Sequence, residues 1–283
     1  MSARDLFGPA VPGLPDALAH RADPIAHGLV PLPWFAFDVA SSAGCRAAAA
    51  RLARRAEHAY WLLRQTLDVS PPLRLAVLDR AGWRALPDAP PFGVMHVDAD
   101  GVLVVGAEPA GAWCGVSAWL AEHLDVQALA RLTHVHGEDP RTRGPALGPL
   151  AEALIAHEIG HVFAQAAGAR FPTRWLAEAF ANYAMVAALG ETDPAGLRRL
   201  GSLADAAETL DHHLPSLEQF EASFGRMGVI PSVLAQLALT RGVYQTYAAV
   251  HTAGLRRMLD LELHPTIAAI PQLFPAARLK AAA

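Results

Sequence analysis

The residues best suited to chemistry are two histidines four positions apart with a glutamate after the first, in the segment His157-Glu158-Ile159-Gly160-His161. On a helix the two imidazoles lie one turn apart on the same face, where both can bind one zinc ion. Glu158 points about 100° around that helix, so it can reach a metal-bound water without being a ligand. The spacing therefore predicts a metal site in which Glu158 acts as general base.

A third ligand is available in Glu178, seventeen positions beyond His161. It lies in an apolar segment, Trp175 to Tyr183, where a buried carboxylate without a partner would be costly. Its carboxylate meets the two imidazoles if the helix that carries it folds back antiparallel. Zinc takes imidazole nitrogens and carboxylate oxygens, and three protein ligands with one open position are typical of a catalytic site. We therefore predict that His157, His161 and Glu178 bind zinc.

A simpler interpretation is that the two histidines are exposed or hydrogen-bonded helix residues and that Glu178 is a surface carboxylate. The composition around them argues against it, because Ile155, Ile159, Val162 and Phe163 make the first helix apolar. Glu158 also stands in that apolar run.

The segments His157 to His161 and Trp175 to Tyr183 together resemble the gluzincin metallopeptidases, the thermolysin-like and aminopeptidase N-like enzymes. The resemblance covers about residues 157–183. It implies zinc-dependent hydrolysis of a peptide or protein substrate, with Glu158 as the base. It also implies a small sheet with an antiparallel edge strand before the motif helix.

Three features depart from the gluzincin pattern. The gap before Glu178 is two or three positions shorter than in the best-known members, and Ala179 replaces the usual glycine. No G-x-M-E-N motif is present; the nearest string is Gly93-Val94-Met95-His96-Val97, which has no acid to bind a substrate amine. The resemblance therefore implies general peptidase chemistry and not an aminopeptidase specificity.

Gluzincin sites also need a donor to the oxyanion that forms on the attacked carbonyl, often a Tyr or His from the C-terminal helices. Tyr244, Tyr247 and His251 fall on one helical face and are the candidates, with core packing as the alternative. Asn182 lies one turn beyond the third ligand, so we expect it either to orient a zinc imidazole or to be a simple capping or surface residue.

The composition excludes several classes of function. The chain is 53% hydrophobic and 18% charged, with a net charge of −4, which offers no basic surface for nucleic acid. No stretch of about 20 uninterrupted apolar residues predicts a membrane span, and the N-terminus lacks a signal pattern. We therefore expect a cytoplasmic protein; the sequence does not indicate its oligomeric state.

The elements predicted around the motif define an α+β, zincin-like fold. A Pro-rich arm covers residues 1–40, and one domain covers 41–283, with an α/β lobe at 41–147 and a helical lobe at 148–283. Patterning predicts, in chain order, a helix at 47–67, a strand at 73–78, a hairpin at 93–105, a helix near 117–132, a polar loop at 134–141, and helices at 149–167, 172–190, from 194, from 216 and across 231–262.

Two other functions fit the same residues. The zinc site could stabilise a non-catalytic interaction module, its open position plugged by a side chain from the N-terminal arm. It could also hydrolyse a non-peptide amide or an epoxide, because the same ligands support that chemistry.

Overall fold

A computed structural model describes residues 28–87, 89–98, 101–108, 111–210, 213–262 and 264–274. Its architecture is α+β, with a small mixed sheet followed by a mainly helical region. The strands of the sheet are β1 Val30–Pro31, β2 Asp38–Ser41, β3 Arg74–Leu78, β4 His96–Val97 and β5 Val102–Gly106. A short antiparallel pair follows, β6 Glu138–Asp139 with β7 Gly144–Pro145.

The sheet has the order β1-β2-β3-β5-β4. Its centre is parallel, with Ala40 beside Ala76 and Ala76 beside Val104. Both edges are antiparallel: β1 pairs with β2, and β4 with β5. The predicted strand at 73–78, the hairpin at 93–105 and the antiparallel edge strand are therefore confirmed, apart from residues 99 and 100, which lie outside the described residues.

The helices are α1 Arg46–Leu67, α2 Arg80–Arg84, α3 Gly111–His123, α4 Val126–His136, α5 Gly148–Ala166, α6 Arg174–Thr192, α7 Pro194–Glu208, α8 Leu217–Ser223, α9 Val229–Val250, α10 Ala253–Leu259 and α11 Pro265–Ala268. A 3₁₀ turn follows at Ile270–Leu273. No helix in the described ranges has the length and apolar character needed to cross a membrane.

The core lies between the sheet and the helices α1, α5, α6 and α9. Along β3 the side chains of Leu75 and Val77 face this core, whereas Ala76 and Leu78 face a smaller cluster around Trp83. This alternation follows from the two-residue period of a strand. The helix α1 buries one apolar face, and α5 packs against α1 on one side and α6 on the other.

Capping residues mark the ends of several helices. Asp193 accepts a hydrogen bond from the backbone N–H of Gly196 and begins α7, where a helix was predicted from residue 194. Ser216 and Gln219 form a capping box at the start of α8. Gly168 takes the left-handed conformation, with φ of 73°, after α5.

Three boundaries differ from the predictions. The boundary at residue 40 falls inside β2, so the end of the predicted arm is part of the sheet; residues 1–27 lie outside the described residues. The helix expected near 117–132 is two helices, because Asp125 caps the backbone N–H groups of Gln127 and Ala128 and starts α4. The predicted polar loop begins too early: His134 and His136 lie in the last turn of α4, and Gly137 ends it.

Candidate metal centre

The hairpin of α5 and α6 carries the motif residues. The turn after α5 is closed by a hydrogen bond from the backbone N–H of Ala169 to the carbonyl of Ala164, at 2.9 Å. The two helices approach closely at Gly160, where an added Cβ would lie 2.8 Å from the Cβ of Ala184 and 3.1 Å from the Cα of Ala181. Gly160 therefore permits the approach, and Ala179 on α6 is fully buried.

Three side chains meet between these helices. The Nε2 atoms of His157 and His161 lie 3.2 Å apart. The carboxylate of Glu178 lies 3.3 Å from Nε2 of His157 through Oε2, and 3.6 Å from Nε2 of His161 through Oε1. One potential ligand atom from each residue lies within 4.8 Å of the others, so the group could hold a metal ion.

Most of this group is buried, and one of its polar atoms has no hydrogen-bond partner among the described residues. His157 and Glu178 are buried, with Glu178 only 1% exposed, whereas His161 is partly exposed. The Oε1 atom of Glu178 is buried and accepts no hydrogen bond from the described residues. A buried carboxylate oxygen without a donor is unfavourable, and a metal ion would satisfy it. The donor set therefore fits a cation.

The charge state of Glu178 points the same way. Burial alone would raise the pKa of Glu178, but the His161 and His157 side chains hold it well below its ordinary value. Glu178 is therefore an ionised carboxylate, the form that binds a metal.

Asn182 fixes the orientation of His157. Its Oδ1 lies 2.9 Å from Nδ1 of His157, while its Nδ2 donates to Oε1 of Gln236 at 2.7 Å. Because the amide N–H groups face Gln236, the amide oxygen faces the imidazole and accepts from Nδ1–H. The other ring nitrogen of His157, Nε2, then faces Glu178, 3.3 Å from its carboxylate. The prediction that Asn182 orients an imidazole of the group is confirmed for His157.

Sequence reasoning missed Gln236, which lies in α9. Its Nε2 donates to Oε2 of Glu178 at 2.7 Å. The available signal was a single amide in the apolar run Val233 to Leu239, where a buried polar side chain needs a partner. The pairing itself could not be predicted, since the two residues are 58 positions apart.

Glu158 lies beside the group and is not part of it, as its position on the helix predicts. Its side chain is partly exposed. Burial raises the pKa of Glu158 to about 7; His157 opposes this rise and the Glu178 carboxylate adds to it. A carboxyl group that titrates near neutral pH can both take up and release a proton.

The structure does not bring Tyr244, Tyr247 or His251 to the metal group. Tyr247 follows Gln236 by eleven positions, about 16 Å along the helix axis. Its ring packs against Gly190 at the far end of α6 and lies 5.4 Å from the His251 ring. The Tyr244 ring packs on Gly201 of α7. Core packing, the alternative stated for these residues, explains the two tyrosines, and His251 is exposed at the end of α9.

Other histidines also lie apart from the group. His136 is buried, and its Nε2 lies 3.1 Å from Oγ of Ser202. His134 is exposed on the same helix. His213 is exposed and packs edge-on against Trp119 and His123; its neighbour at position 212 lies outside the described residues.

Compared with known proteins, the chain matches no family model, no curated protein and no solved structure. Its chemistry must therefore be argued from the site itself.

Proposed function

We propose that this protein is a zinc-dependent metallopeptidase of gluzincin type with a zincin-like, cytoplasmic domain. The observation that carries the proposal is the convergence of His157, His161 and Glu178 around a buried carboxylate oxygen without a hydrogen-bond donor. Two imidazoles and one carboxylate are the ligand set of catalytic zinc sites in hydrolases. When bound, zinc would supply Lewis acidity to the attacking water and to the substrate carbonyl.

Glu158 has the position and protonation behaviour of the general base. It follows a ligand directly in sequence, is partly exposed, and has a pKa raised to about 7. We propose that its carboxylate accepts a proton from the attacking water as the water oxygen bonds to the carbonyl carbon. When the carbon–nitrogen bond breaks, Glu158 would return that proton to the leaving nitrogen.

The partial exposure of the site favours a catalytic zinc site over a structural one whose open position is blocked by a side chain. Among the group and its base, His161 and Glu158 are the partly exposed side chains, and both lie on α5. A substrate could therefore approach from the side of α5. On the side of α6 and α9 the group contacts Asn182, which is buried, and Gln236.

The sheet edge supports a peptide as the substrate. β4 is an edge strand, and Gly93 and Met95 just before it line a small crevice with Ala151 and Glu152 of α5. An open strand edge offers backbone donors and acceptors to an extended chain. Peptide recognition of this kind would place a substrate alongside the helix that carries Glu158.

The decisive experiment is Glu158→Gln, measured for both zinc content and hydrolysis of a quenched fluorescent peptide library. We expect one zinc per chain and no turnover. Glu122→Gln, an exposed change on α3, is the matched control and should keep both properties. Hydrolysis by zinc-loaded Glu158→Gln at the wild-type rate would remove the general-base role, and a wild-type protein that binds zinc but cleaves no peptide would contradict the proposal.

A further inference from the structure

A directed series of hydrogen bonds connects His157 to Glu178 through two amide side chains. Nδ1 of His157 pairs with Oδ1 of Asn182 at 2.9 Å, Nδ2 of Asn182 pairs with Oε1 of Gln236 at 2.7 Å, and Nε2 of Gln236 pairs with Oε2 of Glu178 at 2.7 Å. The last link comes from α9, a helix that supplies no ligand. The series contacts two of the three residues of the metal group, His157 at one end and Glu178 at the other.

The direction of every bond in this series is fixed from one end. Oε2 of Glu178 accepts from Nε2 of Gln236, so the amide oxygen of Gln236 faces Asn182 and takes an N–H from it. This leaves the Asn182 oxygen to face His157. Because an amide oxygen can only accept, Nδ1 of the imidazole must carry the proton of that bond. Reversing either amide would place two oxygens or two N–H groups face to face.

The two carboxylate oxygens of Glu178 differ in their hydrogen bonds. Oε2 accepts from Gln236, whereas Oε1 is buried and has no donor among the described residues. Oε1 is thus the oxygen with free lone pairs for a cation. A carboxylate that binds through one oxygen leaves room for a fourth, exchangeable position at zinc.

We infer that Gln236 is a positioning residue of the metal centre, which sets His157 as the Nδ1–H tautomer and presents Oε1 of Glu178 to the metal. This inference rests on the proposed metal site and deepens it. The side chain of Gln236 bonds to Asn182 and Glu178, so it acts through these two residues. When a residue that hydrogen-bonds a metal ligand is removed, metal affinity typically falls by about 10–100-fold.

The test compares wild type, Gln236→Met and Gln245→Met. Methionine keeps the length of the side chain and removes both hydrogen bonds, and Gln245 is an exposed glutamine on the same helix. Zinc affinity is measured by chelator competition, and the visible spectrum is recorded with Co²⁺ at saturation. We expect Gln236→Met to bind zinc about 10–100-fold more weakly and to shift the Co²⁺ bands, with Gln245→Met unchanged. Wild-type affinity and an unchanged spectrum in Gln236→Met would overturn the inference.

A second measurement requires no variant. In metal-free wild-type protein, ¹⁵N NMR of His157 should show a proton on Nδ1, and an Nδ1 without a proton would overturn the inference. These outcomes are separate from the fate of the proposed function. A wild-type protein that binds zinc tightly but cleaves no peptide removes the peptidase, whereas the affinity, spectrum and tautomer decide the role of Gln236.

Discussion

Asn182 and Glu178 stand one turn apart on α6, and both point to His157 on the neighbouring helix: the amide oxygen lies 2.9 Å from Nδ1, and the carboxylate 3.3 Å from Nε2. The imidazole is thus held at both nitrogens by one helix. Glu178, a candidate ligand, and Asn182, which orients His157, are an i, i+4 pair. Residues four positions apart share a helix face, so both side chains reach the same imidazole.

Loss of that amide should weaken the metal site without unfolding the protein. We expect Asn182→Ala to bind zinc about tenfold or more weakly, since His157 loses the acceptor that fixes its tautomer. The measurement is chelator competition, with thermal unfolding of the metal-free protein as the control for folding. Zinc affinity equal to wild type in a folded variant would contradict the role of Asn182.

The carboxylate ligand can be tested with an isosteric change. Glu178→Gln removes the charge but keeps the shape, so we expect a marked loss of zinc binding by elemental analysis. Glu191→Gln, an exposed change near the end of the same helix, should retain one zinc per chain. If both variants carry equal zinc, Glu178 is not a ligand.

His157 and an unrelated helix histidine give a further comparison. We expect His157→Ala to lose its zinc, whereas His134→Ala should keep it, because His134 is exposed on α4 and lies outside the group. Elemental analysis of untagged protein measures both. Zinc retained by His157→Ala would place the metal elsewhere.

The positions of the C-terminal tyrosines predict that they are dispensable for turnover. The Tyr247 hydroxyl packs against Gly190, and the Tyr244 ring against Gly201, both far along their helices from the metal group. We expect Tyr244→Phe and Tyr247→Phe to keep the kcat of wild type. A large fall in kcat in a zinc-loaded, folded variant would restore the oxyanion role that the sequence suggested.

The close helix approach at Gly160 should be sensitive to a single methyl group. In Gly160→Ala the added Cβ would lie 2.8 Å from the Cβ of Ala184, and such overpacking costs about 1–3 kcal/mol. The gain in helix propensity, about 1 kcal/mol, offsets only part of this cost. Chemical unfolding should therefore show a net loss, whereas Gly115→Ala, where the Cβ meets open space, should show a gain.

The buried His136 predicts a loss of stability in mild acid. Burial lowers the pKa of His136 to about 4, while an unfolded histidine titrates near 6.5. Below about pH 6.5, His136 binds a proton in the unfolded chain but stays neutral in the folded protein. The free energy of unfolding therefore falls as the pH falls toward 4. We expect this residue to cost the metal-free protein about 2 kcal/mol at pH 5 relative to pH 7. Unfolding midpoints of wild type and His136→Gln measure it, and equal pH dependence would exclude His136 as the cause.

Local patterns predicted the metal group because its parts are close in sequence. His157 and His161 lie one helical turn apart. Because the connector to α6 is short, α6 must run antiparallel to α5, and this brings Glu178 close to both histidines. The capping residues Asp193 and Ser216 likewise act on neighbours three positions away. In each case the interaction is complete within a few turns of chain.

Features that depend on long-range packing could not be predicted. The sequence indicated that Tyr244, Tyr247 and His251 share a helix face, but not that this face meets the far end of α6. Gln236 was hidden for the same reason, since its partner lies 58 positions away. The break at Asp125 was missed for a local reason. The apolar pattern continues across this residue, but its side chain caps a new helix and so separates α3 from α4.

The hydrogen bond from Gln236 to Glu178 also links metal binding thermodynamically to the packing of α9 against α6. A change that loosens α9 anywhere along its length should lower the affinity of a metal held only by α5 and α6. By reciprocity, the metal should hold α9 in place to the same extent. Amide hydrogen exchange in α9 should therefore slow when zinc is added, although the proposed ligands lie on α5 and α6.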